Sequence, residues 1–249
     1  MVRGIEKFRE YFADYADNYI VIGGTACDIL QENAGLQPRA TKDIDIILIV
    51  EALTTDFVQQ FWNFIKAGNY KTRQRGNAKS EFFRFLNPEN ADFPLQIELF
   101  ARKLDNLIIP DNFCIEPIPA DEDLSSLSAI LMNDDYYHFT LEHSTIEENL
   151  RLANIESLII LKAKAFFDLS ERKVAGEAID EKNIRKHKND IFRLTIMLTE
   201  SDNYVLPTDI QSDMNEFCYQ ISDNLPQLDL AVSSEKIFEI LCKAFNVKL

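Results

Sequence analysis

Apolar and polar positions change their period along this chain. Ile5, Phe8, Phe12 and Tyr15 fall at helical spacing over residues 5–16 and predict a first helix. The run Tyr19–Ile22 is strand-sized and stops at Gly23-Gly24. Thr25 then caps a second helix in this reading, with Cys27, Ile29 and Leu30 as its apolar contacts. Gly35 and Pro38 mark a loop. Residues 44–50 predict the next strand, paired with the first as in a βαβ unit. Thr54 or Thr55 caps a helix whose inner face is Phe57, Phe61, Phe64 and Ile65. Residues 70–101 read as two or three strands, with turns at Gly76-Asn77 and Asn87-Pro88. The last of them, over 95–100, alternates outward and inward positions.

Pro110, Pro117, Pro119 and the acidic "DEDLSS" predict a connector, and "LSAILM" and "YYHFTLEH" read as strands that extend the sheet. From Ile155 the spacing is helical to the end. Helices are predicted over 155–172, 180–198, 208–221 and 233–246. Ser233 or Ser234 caps the last, and Ile237, Leu241 and Phe245 line one side of it. No internal repeat or low-complexity tract interrupts the pattern. The fold class is α+β. A mixed sheet flanked by helices fills residues 1–150, and a helical bundle fills 151–249.

With 249 residues and 46% hydrophobic positions, the chain can build a sizeable core. Its apolar runs are too short for a membrane span. The N-terminus shows no secretory signal, which points to the cytoplasm. Four scattered cysteines without a CxxC pair and only three histidines argue against a zinc site or a disulfide framework. No GxSxG turn supports a serine hydrolase. A formal charge of −15 repels polyanions at long range. A nucleotide or nucleic acid therefore needs a local basic patch or a divalent metal.

The acids in "TKDIDIILIV" raise the chemical question. Asp43 and Asp45 interrupt an otherwise buried strand and, one residue apart, share a face. Buried acids need pairing, solvation or metal. Glu98 repeats the pattern in "LQIELF", with Gln96 and Phe100 on its face. Gly23-Gly24 before a helix offers backbone N–H groups and the positive end of a dipole to phosphate. Three carboxylates from adjacent strands suit Mg²⁺, which takes oxygen ligands. Each piece alone has a plainer reading: a turn, a solvated strand edge, a surface glutamate. Their conjunction points to chemistry.

The pattern "VIGGTA…TKDIDIIL…IELF" resembles the polymerase-beta-type nucleotidyltransferase superfamily, and within it the AbiEii/AbiGii toxin-like branch. "RATKDIDI" resembles that branch's Arg-x-Thr-x-Asp-hydrophobic-Asp segment, "LKAKAFFD" its Lys-x-x-Ala helix and "KHKNDIFRL" its later basic-then-Asp helix. The resemblance covers most of residues 15–200. It implies an Mg²⁺-dependent transfer of NMP from an NTP to an acceptor hydroxyl. Asp43, Asp45 and Glu98 would be the catalytic and metal-binding acids. Gly23, Gly24 and Thr25 would hold the triphosphate, joined by Lys162 and Asp190, with Asp190 orienting a basic partner such as Lys186 or touching substrate. The implied partners are the NTP, an RNA acceptor such as tRNA, and a protein antitoxin. A protein or small-molecule acceptor, or a nucleotide-binding module without turnover, are the alternatives.

Two basic clusters stand out in the acidic chain. One holds Lys71, Arg73, Arg75, Lys79 and Arg84; the other holds Lys182, Arg185, Lys186, Lys188 and Arg193. Both could guide a polyanion or counter phosphates. Strand alternation buries part of the Phe82, Phe83 and Phe85 group, so base stacking is not assigned there.

Overall fold

The computed structural model describes residues 2–39, 41–70, 82–100, 130 and 133–248. The chain divides into two compact units: Met1–Ala120 with Ser144–Ala153, and Asp121–His143 with Asn154–Leu249.

The first unit is built on a mixed sheet of six strands in the order β3-β4-β2-β1-β6-β5. These are β1 (Tyr19–Ile22), β2 (Asp43–Leu48), β3 (Phe82–Leu86), β4 (Gln96–Phe100), β5 (Ser144–Glu147) and β6 (Leu150–Ala153). β2 runs parallel to β4 and antiparallel to β1, while β1 runs parallel to β6. Helices α1 (Ile5–Phe12), α2 (Gly23–Asn33) and α3 (Thr55–Gly68) accompany the sheet. The first helix is shorter than predicted, because Ala13–Asn18 tightens into a 3-10 segment.

Register sorts the sheet into two faces. Tyr19 and Val21 pair with Leu48 and Ile46, and Ile44 and Ile46 pair with Ile97 and Leu99. Phe85 stands opposite Ile97. That face receives α1 and α3 in an aromatic core. Phe8 meets Tyr19 edge-on at 5.3 Å, Phe64 meets Phe93 at 4.9 Å, and Phe61 meets Phe85 at 5.5 Å. The predicted inner face of α3 is buried at all four positions, and Thr54 caps the helix by accepting from Phe57 N–H at 3.2 Å. The opposite face carries Asp45, Glu98 and Arg84 in register with one another, and Asp43 two residues along.

Two sequence expectations give way here. β4 is buried on both faces rather than one: the aromatic core covers one, and on the other Arg84 and Gln96 close on Glu98. "YYHFTLEH" is not a strand: it belongs to helix α4 (Asp134–Glu142). Asn133 caps that helix, its side chain accepting from Asp135 N–H and Tyr136 N–H, and Asp134 and Asp135 favour its first turn. The strands that complete the sheet follow instead, as the β5–β6 hairpin. The connector prolines, the Gly76-Asn77 turn and nearly all of "LSAILM" lie outside the described residues.

The second unit adds α5 (Ile155–Val174), α6 (Glu181–Thr195), α7 (Thr208–Ile221) and α8 (Ser234–Ala244) to α4. α5 is its central helix, buried from Glu156 through Ala163, and packs against α6, α7 and α4. α6 also packs on α8, which buries Ile237 and Leu241, followed by Phe245. Side chains cap the helix starts: Asp180 accepts from Lys182 N–H at 2.9 Å, and Ser233 accepts from Lys236 N–H at 3.3 Å. The predicted α+β class, a mixed sheet with helices followed by C-terminal helices, is the observed one. Among the described residues no helix is long and apolar enough to cross a membrane.

Candidate active site on the acid face of the sheet

β1 and β2 are antiparallel, not joined as a βαβ unit, and this decides where the acids lie. A parallel pair would put the start of β2 beside the start of β1, far from the Gly-Gly turn. Here Asp45 stands opposite Ile22, the last residue before that turn. The chain has room for the reversal. α2 has 11 residues, roughly 16 Å at the helical rise. Residues 34–42 can retrace that distance at about 3.3 Å each when extended.

The return segment is fastened to α2 at three points. Thr25 Oγ1 donates to the Asp43 carbonyl. Asp28, buried in α2, accepts the Thr41 N–H on Oδ2 at 2.9 Å. Thr41 packs on Gly24, where an added Cβ would lie 2.7 Å from the threonine side chain. Gly23 is held as tightly. Its φ is +67°, and a Cβ there would sit 1.8 Å from Asp45 Oδ2. Both glycines therefore make room for this chain's own side chains. Thr25 is fully buried and does not cap α2. Its hydroxyl is committed to β2, because the first turn of the helix already lies against that strand.

Across the acid face one row runs over three strands. Arg84 of β3 pairs with Glu98 of β4, and Glu98 pairs with Asp45 of β2. Asp43 is two residues along on the same face, opposite Gln96. Arg84 Nε donates to Glu98 Oε1 at 2.9 Å, and Gln96 Nε2 donates to the same oxygen at 2.5 Å. Glu98 also shares a hydrogen bond with Asp45. Burial pushes the Glu98 carboxyl up to about 8, and the negative charge of Asp45 adds to the rise. The Arg84 guanidinium opposes both.

The donor set suits a hard cation in part. Asp43 and Asp45 are half-buried and present carboxylate oxygens on one face, the ligand type Mg²⁺ takes. Among the described residues, however, no group of three or more His, Cys, Asp or Glu side chains could hold a metal ion. The expected three-carboxylate ligand set is not assembled, and Glu98 Oε1 accepts from Arg84 and Gln96 instead.

Lys162 and Asp190 belong to the second unit. Lys162 Nζ donates to Asp190 Oδ2 at 2.9 Å, and both side chains are 7% exposed. The acid's close cation is thus one from α5. In the α6 cluster, Lys182 and Arg185 are exposed, while Lys188 donates to the Asn224 carbonyl at 2.9 Å. Burial lowers the Lys188 pKa. In the other cluster, Lys71, Arg73, Arg75 and Lys79 lie outside the described residues.

Sequence reasoning placed Arg84 only within a basic cluster, and it gave Gln96, Asp28 and Thr41 no role. One signal was available for Arg84: a lone cation inside "FFRFL" mirrors the lone acid inside "QIELF", so each can serve as the other's partner. The Asp28 contact has no comparable signature in the sequence.

No family model and no curated protein matches the chain. Among solved structures, an antigenic nucleotidyltransferase-like protein from Paracoccidioides brasiliensis aligns with a TM-score of 0.45 at 12% identity. The alignment covers 98% of this chain and 95% of that one.

Proposed function

We propose that the protein is an Mg²⁺-dependent nucleotidyltransferase that moves NMP from an NTP to an acceptor hydroxyl. The observation that carries this reading is the convergence of Gly23, Asp45 and Glu98 at one end of β1, with Asp43 on the same face. Asp43 and Asp45 hold the cation. When bound, Mg²⁺ neutralises charge on the polyphosphate and on the leaving pyrophosphate. The first-turn N–H groups of Gly23, Gly24 and Thr25 face the phosphates, while the Thr25 hydroxyl fixes Asp43. Glu98, the third acid, takes the proton of the acceptor hydroxyl, a role suited to a carboxylate whose pKa lies near the working pH. The acceptor oxygen bonds to the α-phosphorus, the bond to the bridging oxygen breaks, and pyrophosphate leaves.

The resemblance of the sequence motifs supports an RNA acceptor, tRNA above all, and a cytoplasmic toxin paired with an antitoxin protein. A nucleotide-binding module without turnover is the second reading. It is favoured by the lack, among the described residues, of a three-ligand metal group.

Incubation with labelled NTPs, Mg²⁺ and, in turn, total RNA, protein extract or small-molecule drugs tests the proposal. Label should pass to one acceptor class, and Asp43→Ala should abolish transfer. Transfer to protein or drug would replace RNA as the acceptor. Nucleotide binding without transfer to anything would favour the module. No transfer, with nucleotide binding the same in wild type and Asp43→Ala, would overturn the enzyme, and no nucleotide binding at all would overturn both.

A further inference from the structure

We propose that Arg84 is the resident counter-cation of the acid face. It keeps Glu98 out of the divalent-ion seat and weakens the hold of Asp43 and Asp45 on that ion. The proposal rests on the reading of the two aspartates as cation ligands.

Position comes first. Arg84, Glu98 and Asp45 occupy one cross-strand row on β3, β4 and β2. Neighbouring strands lie about 4.8 Å apart, so the guanidinium stands two strands from Asp45 and adjacent to Glu98. Its Nε donates to Glu98 Oε1 at 2.9 Å, and Gln96 Nε2 reaches the same oxygen at 2.5 Å. An oxygen that already accepts two donors has little lone-pair capacity left for a metal.

Environment comes second. The Arg84 and Glu98 side chains are 17% and 9% exposed. Their attraction is therefore screened far less than that of a surface pair. A guanidinium cannot discharge by losing a proton. Its positive charge is thus a fixed part of the field that an arriving cation meets. The next residue, Phe85, is buried on the aromatic face, so Arg84 is held in a strand anchored from behind.

This arrangement departs from three carboxylates closing on a metal. Two aspartates form the seat, and the third acid is spent on an internal cation. Arg84 is a positioning residue: it acts through Glu98 and through its charge, without touching substrate.

Mn²⁺ binding to the full-length, nucleotide-free protein, read by electron paramagnetic resonance, tests the idea without any turnover. Arg84→Gln removes a positive charge near the seat and should tighten Mn²⁺ binding by about tenfold. Arg84→Lys should stay within about twofold of wild type. The double variant Arg84→Gln/Glu98→Gln removes the guanidinium and the carboxyl together and leaves a Gln–Gln hydrogen bond. It should bind Mn²⁺ at least as tightly as wild type. It would bind much more weakly if Glu98 were a ligand, and that result would overturn the proposal even if Arg84→Gln alone fails to fold. Equal or weaker binding by folded Arg84→Gln, with Asp43→Ala still losing Mn²⁺, sinks the role of Arg84 and leaves the aspartate seat standing. Mn²⁺ binding indifferent to Asp43→Ala removes the seat itself.

Discussion

Asp45 and Glu98 stand directly opposite each other on parallel strands, and their carboxyl groups share a hydrogen bond. Two acids that close cannot both ionise freely in a buried place. The Glu98 carboxyl titrates near 8 in the folded chain, against an ordinary value of 4.5. Between those values the folded protein keeps a proton that the unfolded chain has released. Stability is therefore full below the lower value and is lost as pH rises through the upper one. In chelator, urea denaturation of the wild type should show this loss between pH 5 and 9. Glu98→Gln should stay nearly flat and gain on the order of 2 kcal/mol over wild type across that window. Parallel curves for the two proteins would contradict the carboxyl contact.

Gly23→Ala should be severe. The residue has φ +67°, and its Cβ would collide with Asp45 Oδ2. Left-handed strain alone costs about 1–2 kcal/mol, and the displaced carboxylate adds to it. The expected loss is roughly 3 kcal/mol in chemical denaturation. Gly23→Ala/Asp45→Ala should recover the steric part, visible as non-additivity in a double-mutant cycle.

Thr25→Val keeps the shape of the side chain but removes the hydroxyl bonded to the Asp43 carbonyl. It should cost about 1–2 kcal/mol, because a buried acceptor loses its donor. Thr25→Ser should restore most of that. If nucleotide affinity falls in the valine variant and returns in the serine variant, the hydroxyl acts by placing Asp43.

In the second unit, Lys162→Met or Asp190→Leu leaves the opposite charge buried and should cost about 3–5 kcal/mol. Lys162→Met/Asp190→Leu should regain most of this. Calorimetric titration with an NTP then separates two roles for the lysine. A phosphate contact predicts weak binding by the refolded double variant, and a purely internal ion pair predicts binding like wild type.

Strong local patterns were legible in the sequence. β1, the start of α7 and the inner face of α3 follow directly from apolar spacing, and capping chemistry narrows two helix starts to Thr54 or Thr55 and Ser233 or Ser234, of which the first of each pair is the cap. Glu98 could be placed near the aspartates because an acid embedded in an apolar strand is costly without a reason. Long-range geometry was less accessible. Nothing in residues 34–42 announces that the chain retraces α2 and enters β2 antiparallel. The β5–β6 hairpin escaped because its strands have four residues each and its turn is Glu148-Asn149. Both turn residues adopt positive φ, +47° and +64°, where Asn-Gly is the usual signal. The aromatic residues of α4 favoured a strand by propensity, and the Asn133 cap with two following aspartates outweighed them.

The sheet is finished late. Its β1 edge is covered by β6, with Val21 opposite Leu152, yet Asp121–His143 belongs to the other unit. During synthesis the ribosome must deliver more than half of the protein before that border closes. Until then β1 offers bare backbone donors and acceptors to any passing chain. A fragment cut at Ala120 would inherit that hazard permanently, so the N-terminal unit should resist isolation in soluble form unless Ser144–Ala153 is grafted back onto it.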